Sequence, residues 1–311
     1  MIHAPPAQGF HLAVSGGHRL WVETFGTPAG YPVLFLHGGP GSGCNASQRA
    51  VFDPDYHFAI FLDQRGAGKS LPAGERAANT TADLVADIEI LRQHLGIAQW
   101  LVTGGSWGAT LALAYAEAHP QAVTGLALRA VFLGTKAELH RAFVTHLQCF
   151  FPLLWQGLIG HLGPAERSDP LAAYYRRILD PDPKVHGPAA WIWHDINRAL
   201  GQTPAPLDRL SDHGDAPLPR TPFMEAHYFS HDCFMPDGAL LDGAGALAAI
   251  PGVIVQARHD LLCPPANAFA LQERWPAAEI AWVEGAGHAL SHPPVMAALR
   301  DAIARLSSAG A

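Results

Sequence analysis

Ser106 sits in the pentapeptide Gly104-Gly105-Ser106-Trp107-Gly108 and fits the pattern G-x-S-x-G. A serine held between glycines at a sharp strand-to-helix turn can act as a nucleophile, because the turn pushes its hydroxyl clear of the backbone. In a chain with 31 glycines among 311 residues the pattern alone is weak, so the rest of the chemistry must be present too. An activated serine needs a base and a group to orient that base. Two further stretches offer them: Asp260 closes "GVIVQARHD" (252–260), and His288 follows "EIAWVEGAG" (279–287) in a glycine-rich loop. A nucleophile also needs donors for the oxyanion it creates. "HGGPGSG" (37–43) follows the apolar run "VLFLHG", and the backbone N–H groups of Gly39 and Trp107 are assigned as that donor pair.

These residues must be carried by elements that bring them together. Short apolar, β-branched runs occur at 32–39, 57–66, 100–105, 123–131, 252–260 and 279–287, each ending in glycine or polar residues. Nearly continuous apolar strands of this kind are what a parallel sheet covered on both faces requires. Helix-period segments lie between them. "TTADLVADIEILRQHLG" (80–96) has Thr80 or Thr81 as N-cap and Gly96 as C-cap, and the Ala/Leu-rich 108–120 stops before Pro120. Alternating strand and helix predicts an α/β, doubly wound sheet. The opening runs "FHLAVSG" and "HRLWVETFG" alternate in the antiparallel manner and are expected at one edge.

Strand signals vanish between about 135 and 235, where Trp, Tyr, Phe, His and Pro accumulate, and the Pro- and Asp-rich 201–222 is expected to be irregular. This predicts a core of residues 1–134 and 236–311 with a helical insertion at 135–235. In that frame Ser106, Asp260 and His288 each stand at the carboxyl end of a strand. Their chain order is that of the α/β-hydrolase triad and differs from the other serine-peptidase orders. Asp237 and Asp242 would compete with Asp260 if the strand at 252 were misassigned.

Composition removes several classes. A formal charge of −7 offers no basic field for nucleic acid or for an anionic membrane surface. "DQRGAGKS" (63–70) ends like a phosphate-binding loop but carries Asp63 where that motif needs glycine. Cys44, Cys149, Cys233 and Cys263 are scattered without a C-x-x-C pair, which fits reduced thiols better than a disulfide framework or a zinc site. "MIHAPPAQGF" has no leader-like pattern, and no run of about 18 apolar residues occurs. The expectation is a soluble, cytoplasmic protein of open oligomeric state.

The segments "HGGPG" (37–41), "DQRGAGKS" (63–70), "GGSWGATLALAYA" (104–116), "QARHDLLCP" (256–264) and "GAGHA" (285–289) together resemble the proline iminopeptidases (prolyl aminopeptidases), across nearly the whole chain. The resemblance implies an α/β-hydrolase fold with an inserted helical cap, no metal or organic cofactor, and hydrolysis of an N-terminal proline from small peptides or aminoacyl substrates. It also implies acidic cap residues that recognise the free amine. "MEAHYF" is similar to the family's Glu-x-His-Tyr-Phe and points to Glu225, and "AWIWHDINRAL" is similar to a Trp-Glu segment and points to Asp195. "LALRAVF" resembles the family's Leu-Arg-Gly-x-Phe and points to Arg129 and Phe132 as pocket residues.

The chain departs from the family pattern mainly around the cap. Asp195 is one methylene shorter than Glu, His194 stands for Trp, Ala130 for Gly, and "HRAFV" (140–144) lacks the family's aromatics. Independently of the resemblance, an ammonium taken into a partly dry pocket needs a compensating carboxylate. A carboxylesterase, amidase or lactonase with a retuned cap remains an alternative, as does a catalytically silent binding protein on this fold. Epoxide hydrolases and dehalogenases require an Asp nucleophile where this chain has Ser106. Cys44 and Cys263, close in sequence to the oxyanion loop and to Asp260, are expected to make the site sensitive to thiol reagents by steric blockage.

Overall fold

The computed structural model describes residues 8–309; the first seven residues of the N-terminal stretch discussed above lie outside the described residues. Eight strands form one sheet in the order β1-β2-β4-β3-β5-β6-β7-β8. They are β1 (Gln8–Ala13), β2 (Arg19–Gly26), β3 (Tyr31–Leu36), β4 (His57–Leu62), β5 (Trp100–Ser106), β6 (Val123–Val131), β7 (Gly252–Ala257) and β8 (Ala278–Val283). The first two strands pair antiparallel with each other, and β2 pairs antiparallel with β4. All other pairings are parallel. The sheet is therefore the doubly wound α/β type that the strand–helix alternation predicts, with the hairpin at its edge.

Period-two alternation splits the core between the two faces of the sheet. Leu34, Leu36, Ile60 and Val102 pack on one side against α1 (Thr81–His94) and α2 (Trp107–Ala118). Val33, Phe35, Phe61 and Val255 pack on the other, where the long terminal helix presents Val295, Leu299, Ile303 and Leu306 at helical spacing. Thr80 caps α1 through a capping box with Asp83, and Gly96 (φ +65) ends that segment in the left-handed conformation.

Four strands end three or four residues earlier than the apolar runs suggest: β3 at Leu36, β4 at Leu62, β7 at Ala257 and β8 at Val283. The residues beyond them peel away at the carboxyl edge of the sheet, where open α/β sheets bind ligands.

Between Val131 and Gly252 the described chain contains no strand. Its helices are α3 (Lys136–His140), α4 (Leu147–Phe150), α5 (Pro152–Gly160), α6 (Pro170–Ile178), α7 (Pro183–Gly201), α8 (Thr221–Phe229) and α9 (Ala239–Gly243), with a π-helical turn, Arg141–His146, joining α3 to α4. Helices α10 (Pro265–Arg274) and α11 (Pro293–Ala309) are the last two among the described residues. Residues 202–220, between α7 and α8, carry no regular element, as their proline and aspartate content predicts. The helical segment shares its buried core with the first face of the sheet through Phe143, Trp193 and Tyr228. Among the described residues no single helix is long and apolar enough to cross a membrane.

Candidate active site

Ser106 is the last residue of β5 and the residue before α2, and its backbone lies at φ 57, ψ −124. A non-glycine residue held there is strained and persists only because the surroundings over-determine it. They do so by close approach. A Cβ on Gly108 would collide with the Leu36 carbonyl, and one on Gly104 with the backbone of Gly108, so β3, β5 and α2 can meet only with glycine at both positions. The serine thereby stands at the amino end of α2, where free N–H groups and the helix dipole favour negative charge. It lines two adjoining cavities.

His288 and Asp260 come together at the same edge. His288 Nδ1 lies 3.0 Å from Asp260 Oδ1 and 2.9 Å from Oδ2. The Asp260 side chain is fully buried and also accepts the N–H groups of Leu262 (3.0 Å) and Cys263 (2.8 Å). Two backbone bonds tie the acid loop to the histidine loop, from Arg258 N–H to Val283 O (2.9 Å) and from His259 N–H to Ala286 O (3.0 Å). A carboxylate facing Nδ1 places the ring proton there and leaves Nε2 as the basic nitrogen. His288 and Ser106 line one cavity of about 540 Å³, without a direct hydrogen bond between them in this structure, as is common before substrate tightens such contacts.

Arg129, on β6, lines the larger cavity and also holds the histidine loop. Its guanidinium donates to the His288 carbonyl and packs where a Cβ on Gly105 would have to be. Burial lowers its pKa, and the Asp260 charge opposes that. Arg129 reaches the wall of the larger cavity, with one of its five N–H donors committed to the histidine loop. Phe132 does line the smaller cavity beside Ser106, edge-on to Phe229 with ring centroids 5.9 Å apart.

The loop after β3 is wired into the Ser106 turn. Gly39 takes φ +110, a conformation that favours glycine, and lines both cavities. His37 Nε2 accepts from the Gln64 N–H (3.1 Å), so Nδ1 carries the proton and donates to the Gly38 carbonyl (2.9 Å). Gln64 Nε2 donates to the His37 carbonyl (2.9 Å), and Gln64 Oε1 accepts from the Trp107 indole N–H (2.8 Å). The fully buried Trp107 ring packs 4.6 Å from Tyr228 of α8. Through Gln64, a residue the sequence reading did not assign, one network fixes the backbone on both sides of Ser106.

The remainder of "DQRGAGKS" is architectural. Asp63 accepts the N–H groups of Cys44 (2.6 Å) and Lys69 (2.8 Å), and Arg65 makes a buried two-point pair with Asp87 at 2.7 Å for each bond. The Lys69 ammonium lies over the Trp21 ring, 4.9 Å from its centroid. The segment is a structural knot, consistent with its failure to match a phosphate loop.

Where the two cavities meet, Glu225 and Asn197 form a shared wall. Glu225 Oε2 accepts from the Trp193 indole N–H (2.7 Å) and from Asn197 Nδ2 (3.1 Å). Burial pushes the Glu225 pKa up to about 8, and these two bonds only partly counter it. The rest of the smaller cavity is apolar at Phe132, Leu139, Phe143, Phe229 and Leu262, with the buried thiol of Cys263 and the buried carboxylate of Glu138, whose oxygens accept from Leu133, Thr135 and Asn267, also on its lining. Cys44 bonds to the Asp63 and Leu62 side of its loop and lines neither cavity.

Asp195 is not at this wall. Its buried carboxylate accepts the Ser211 N–H (2.7 Å) and lies 3.0 Å from His213 Nε2, whose ring stacks on Trp191 at 3.8 Å. It pins the irregular loop after α7 instead of reaching Ser106. The reason is helical geometry: Trp193 and Asn197 are four residues apart on one face of α7, and Asp195, two residues from each, points to the opposite side. His194 lines the larger cavity, with its pKa lowered mainly by burial.

Residues 31–292 match the family described as alpha/beta hydrolase fold. The chain is 42% identical over 291 residues to the proline iminopeptidase of Xylella fastidiosa, covering 93% of each chain. It is 40% identical over 303 residues to that of Arabidopsis thaliana, covering 96% of this chain and 80% of the other. Among solved structures, the proline iminopeptidase of Mycobacterium smegmatis superposes with a TM-score of 0.64 at 18% identity, over 98% of this chain and 100% of that one, a likeness of fold.

Proposed function

The chain belongs to the proline iminopeptidases of the alpha/beta hydrolase fold, and from that premise we propose a serine aminopeptidase that releases N-terminal proline from small peptides. The observation that carries the reading is Glu225: a buried carboxylate on a wall shared by both cavities that Ser106 lines. Such a group suits a substrate that brings a free ammonium to within reach of the nucleophile, since each charge offsets the other's loss of water.

In this reading Ser106 Oγ attacks the carbonyl carbon of the N-terminal residue while His288 Nε2 takes its proton. Asp260 orients the ring and stabilises the imidazolium. The oxyanion is held by the N–H groups of Gly39 and Trp107, each worth roughly 3–4 kcal/mol in comparable sites. Collapse of the tetrahedral species breaks the C–N bond, and His288 returns the proton to the departing amine. Water then attacks the aminoacyl ester, with His288 as base, and Ser106 is regenerated.

Residues 135–235 act as the cap, and 1–134 with 236–311 as the catalytic core. Phe132 and its aromatic neighbours supply a compact apolar slot suited to a pyrrolidine ring. The −7 charge speaks against nucleic acid as a partner, and the four unpaired cysteines fit a cytoplasmic location.

The test is a substrate panel of Pro-β-naphthylamide, N-acetyl-Pro-β-naphthylamide and short p-nitrophenyl esters, with Ser106→Ala as control. Preference for the free-amine amide, lost in Ser106→Ala, is the expected result. Preference for the acetylated amide or the ester would make this a carboxylesterase-type enzyme instead. Ser106→Ala at near-parental rate would remove the nucleophile assignment.

A further inference from the structure

The larger cavity has a charge pattern that the chemistry at Ser106 does not use. Among the described residues Glu225 is the one carboxylate on its wall, and it stands on the side shared with the smaller cavity. Two basic side chains of α7, His194 and Arg198, line the larger cavity alone. They are four residues apart, on one face of the helix. Burial lowers the His194 pKa and the Arg198 charge lowers it further, which leaves Arg198 as the cation. Among the described residues the Arg198 guanidinium has no carboxylate within ion-pair distance. Arg129, the other guanidinium on this wall, is held to the His288 carbonyl and faces the Asp260 charge. On the loop after β3, Asn45 and Gln48 line the same cavity. Asn45 Oδ1 is taken by the Ser47 N–H (3.1 Å) and Gln48 Oε1 by the Asn45 N–H (2.9 Å), so each amide has its NH₂ donors left to offer. Donors and positive charge therefore gather on walls that the smaller cavity does not share.

His288 lines the larger cavity and not the smaller, so the nitrogen it protonates, and the peptide behind that nitrogen, lie in the larger one. We propose that Arg198 is a specificity-determining residue that binds the C-terminal carboxylate of the departing peptide, with the Asn45 and Gln48 amides as further donors. The substrate class is then di- and tripeptides with a free carboxyl end. The inference rests on the aminopeptidase reading above and deepens it. A guanidinium offers parallel N–H donors that match a carboxylate at two points. Length enters because each added residue carries the carboxylate up to about 3.6 Å farther, and a cavity of about 540 Å³ holds only a short leaving peptide.

Pro-Ala, Pro-Ala-Ala and a hexapeptide of proline followed by alanines, each as the free acid and as the C-terminal amide, separate carboxylate binding from everything else the substrates share. The readout is the acid-to-amide ratio of kcat/KM. For the short pair that wild type favours more, Arg198→Gln is expected to lower that ratio about tenfold, and Arg198→Glu to lower it further. Comparing variant with wild type cancels the different reactivities of the two leaving amines. For the hexapeptide pair, whose carboxylate lies beyond the cavity, the ratio should not move. A purely structural role would lower acid and amide together and leave every ratio unchanged, which would overturn the proposal. An equal shift at all lengths would mean long-range attraction instead of a docked carboxylate, and would overturn it too. Wild type decides independently if the variants do not fold: its ratio should be about tenfold higher for the favoured short pair than for the hexapeptide, and equal ratios overturn the proposal. Failure of wild type on Pro-β-naphthylamide, which has no carboxylate, would instead overturn the aminopeptidase reading.

Discussion

Glu225→Gln separates what the buried acid does for stability from what it does for substrate. The carboxyl titrates near 4.5 when solvated and at about 8 in the fold, with burial as the first cause. A raised acid pKa means that the native state holds a proton the unfolded chain has released. Stability from this group is therefore fully present below about pH 4.5 and declines as pH rises towards 8, by at most about 1.4 kcal/mol per pH unit. Across that window the total is a few kcal/mol. Gln keeps the shape and an acceptor for Trp193 and Asn197 but cannot ionise. Thermal melts from pH 5 to 9 are expected to show the variant pulling ahead of wild type by several degrees at the alkaline end, with little difference at pH 5. Glu117, also raised to about 8 by burial, adds its own alkaline loss to both proteins and cancels in the difference. On Pro-β-naphthylamide the same variant should lose about 100-fold or more in kcat/KM, because Glu225 can give up its proton and face the substrate ammonium as a carboxylate, whereas Gln cannot. Parallel melting curves at every pH would refute the buried-proton reasoning. Undiminished kcat/KM would refute the role of Glu225 in binding the amine.

Asp260→Asn should leave the melting temperature close to wild type and lower kcat by about 10⁴, since an amide facing Nδ1 no longer selects the tautomer that leaves Nε2 basic; a loss under tenfold, measured at saturating Pro-β-naphthylamide, would contradict the orientation argument. Arg129→Ala removes the donor that holds the His288 carbonyl, and the expected signature is a fall in kcat of roughly 10- to 100-fold with KM within about threefold, as for a misplaced base. A large rise in KM alone would show that Arg129 acts on the substrate and not through the His288 loop. Asp195→Asn should weaken the 202–220 loop, at about 1–3 kcal/mol for the impaired bonds to Ser211 and His213, and leave kcat/KM on Pro-β-naphthylamide within about threefold; limited proteolysis of the loop and steady-state kinetics read the two effects separately.

Features encoded over a few adjacent residues were legible without coordinates. The G-x-S-x-G turn is one, because glycine at 104 and 108 is demanded by backbone contacts that recur wherever a strand feeds a helix this tightly. The places of Asp260 and His288 were legible for a related reason: each follows an apolar run, and parallel strands deliver their carboxyl ends to one edge. The family resemblance selected Glu225, whose buried position the structure then supplied.

What the sequence by itself determined is therefore the sheet, its chain order and the residues lying at its carboxyl edge, since these follow from short-range patterns of apolar residues and glycine. Only the tertiary structure decided which helix face meets the serine. A shift of two residues on α7 carries a side chain through half a turn, so Asn197 reaches the cavity and Asp195 the outer loop, and nothing in the local string "WHDIN" sets that rotation. The same holds for Arg129, whose hydrogen bond crosses 159 residues to His288, and for Gln64, which joins His37 to Trp107 across 27 and 43 residues. Hydrogen bonds of that reach exist only once the sheet has assembled, and they are what turn a recognisable motif into a site with an oriented histidine and a polar wall beside the serine.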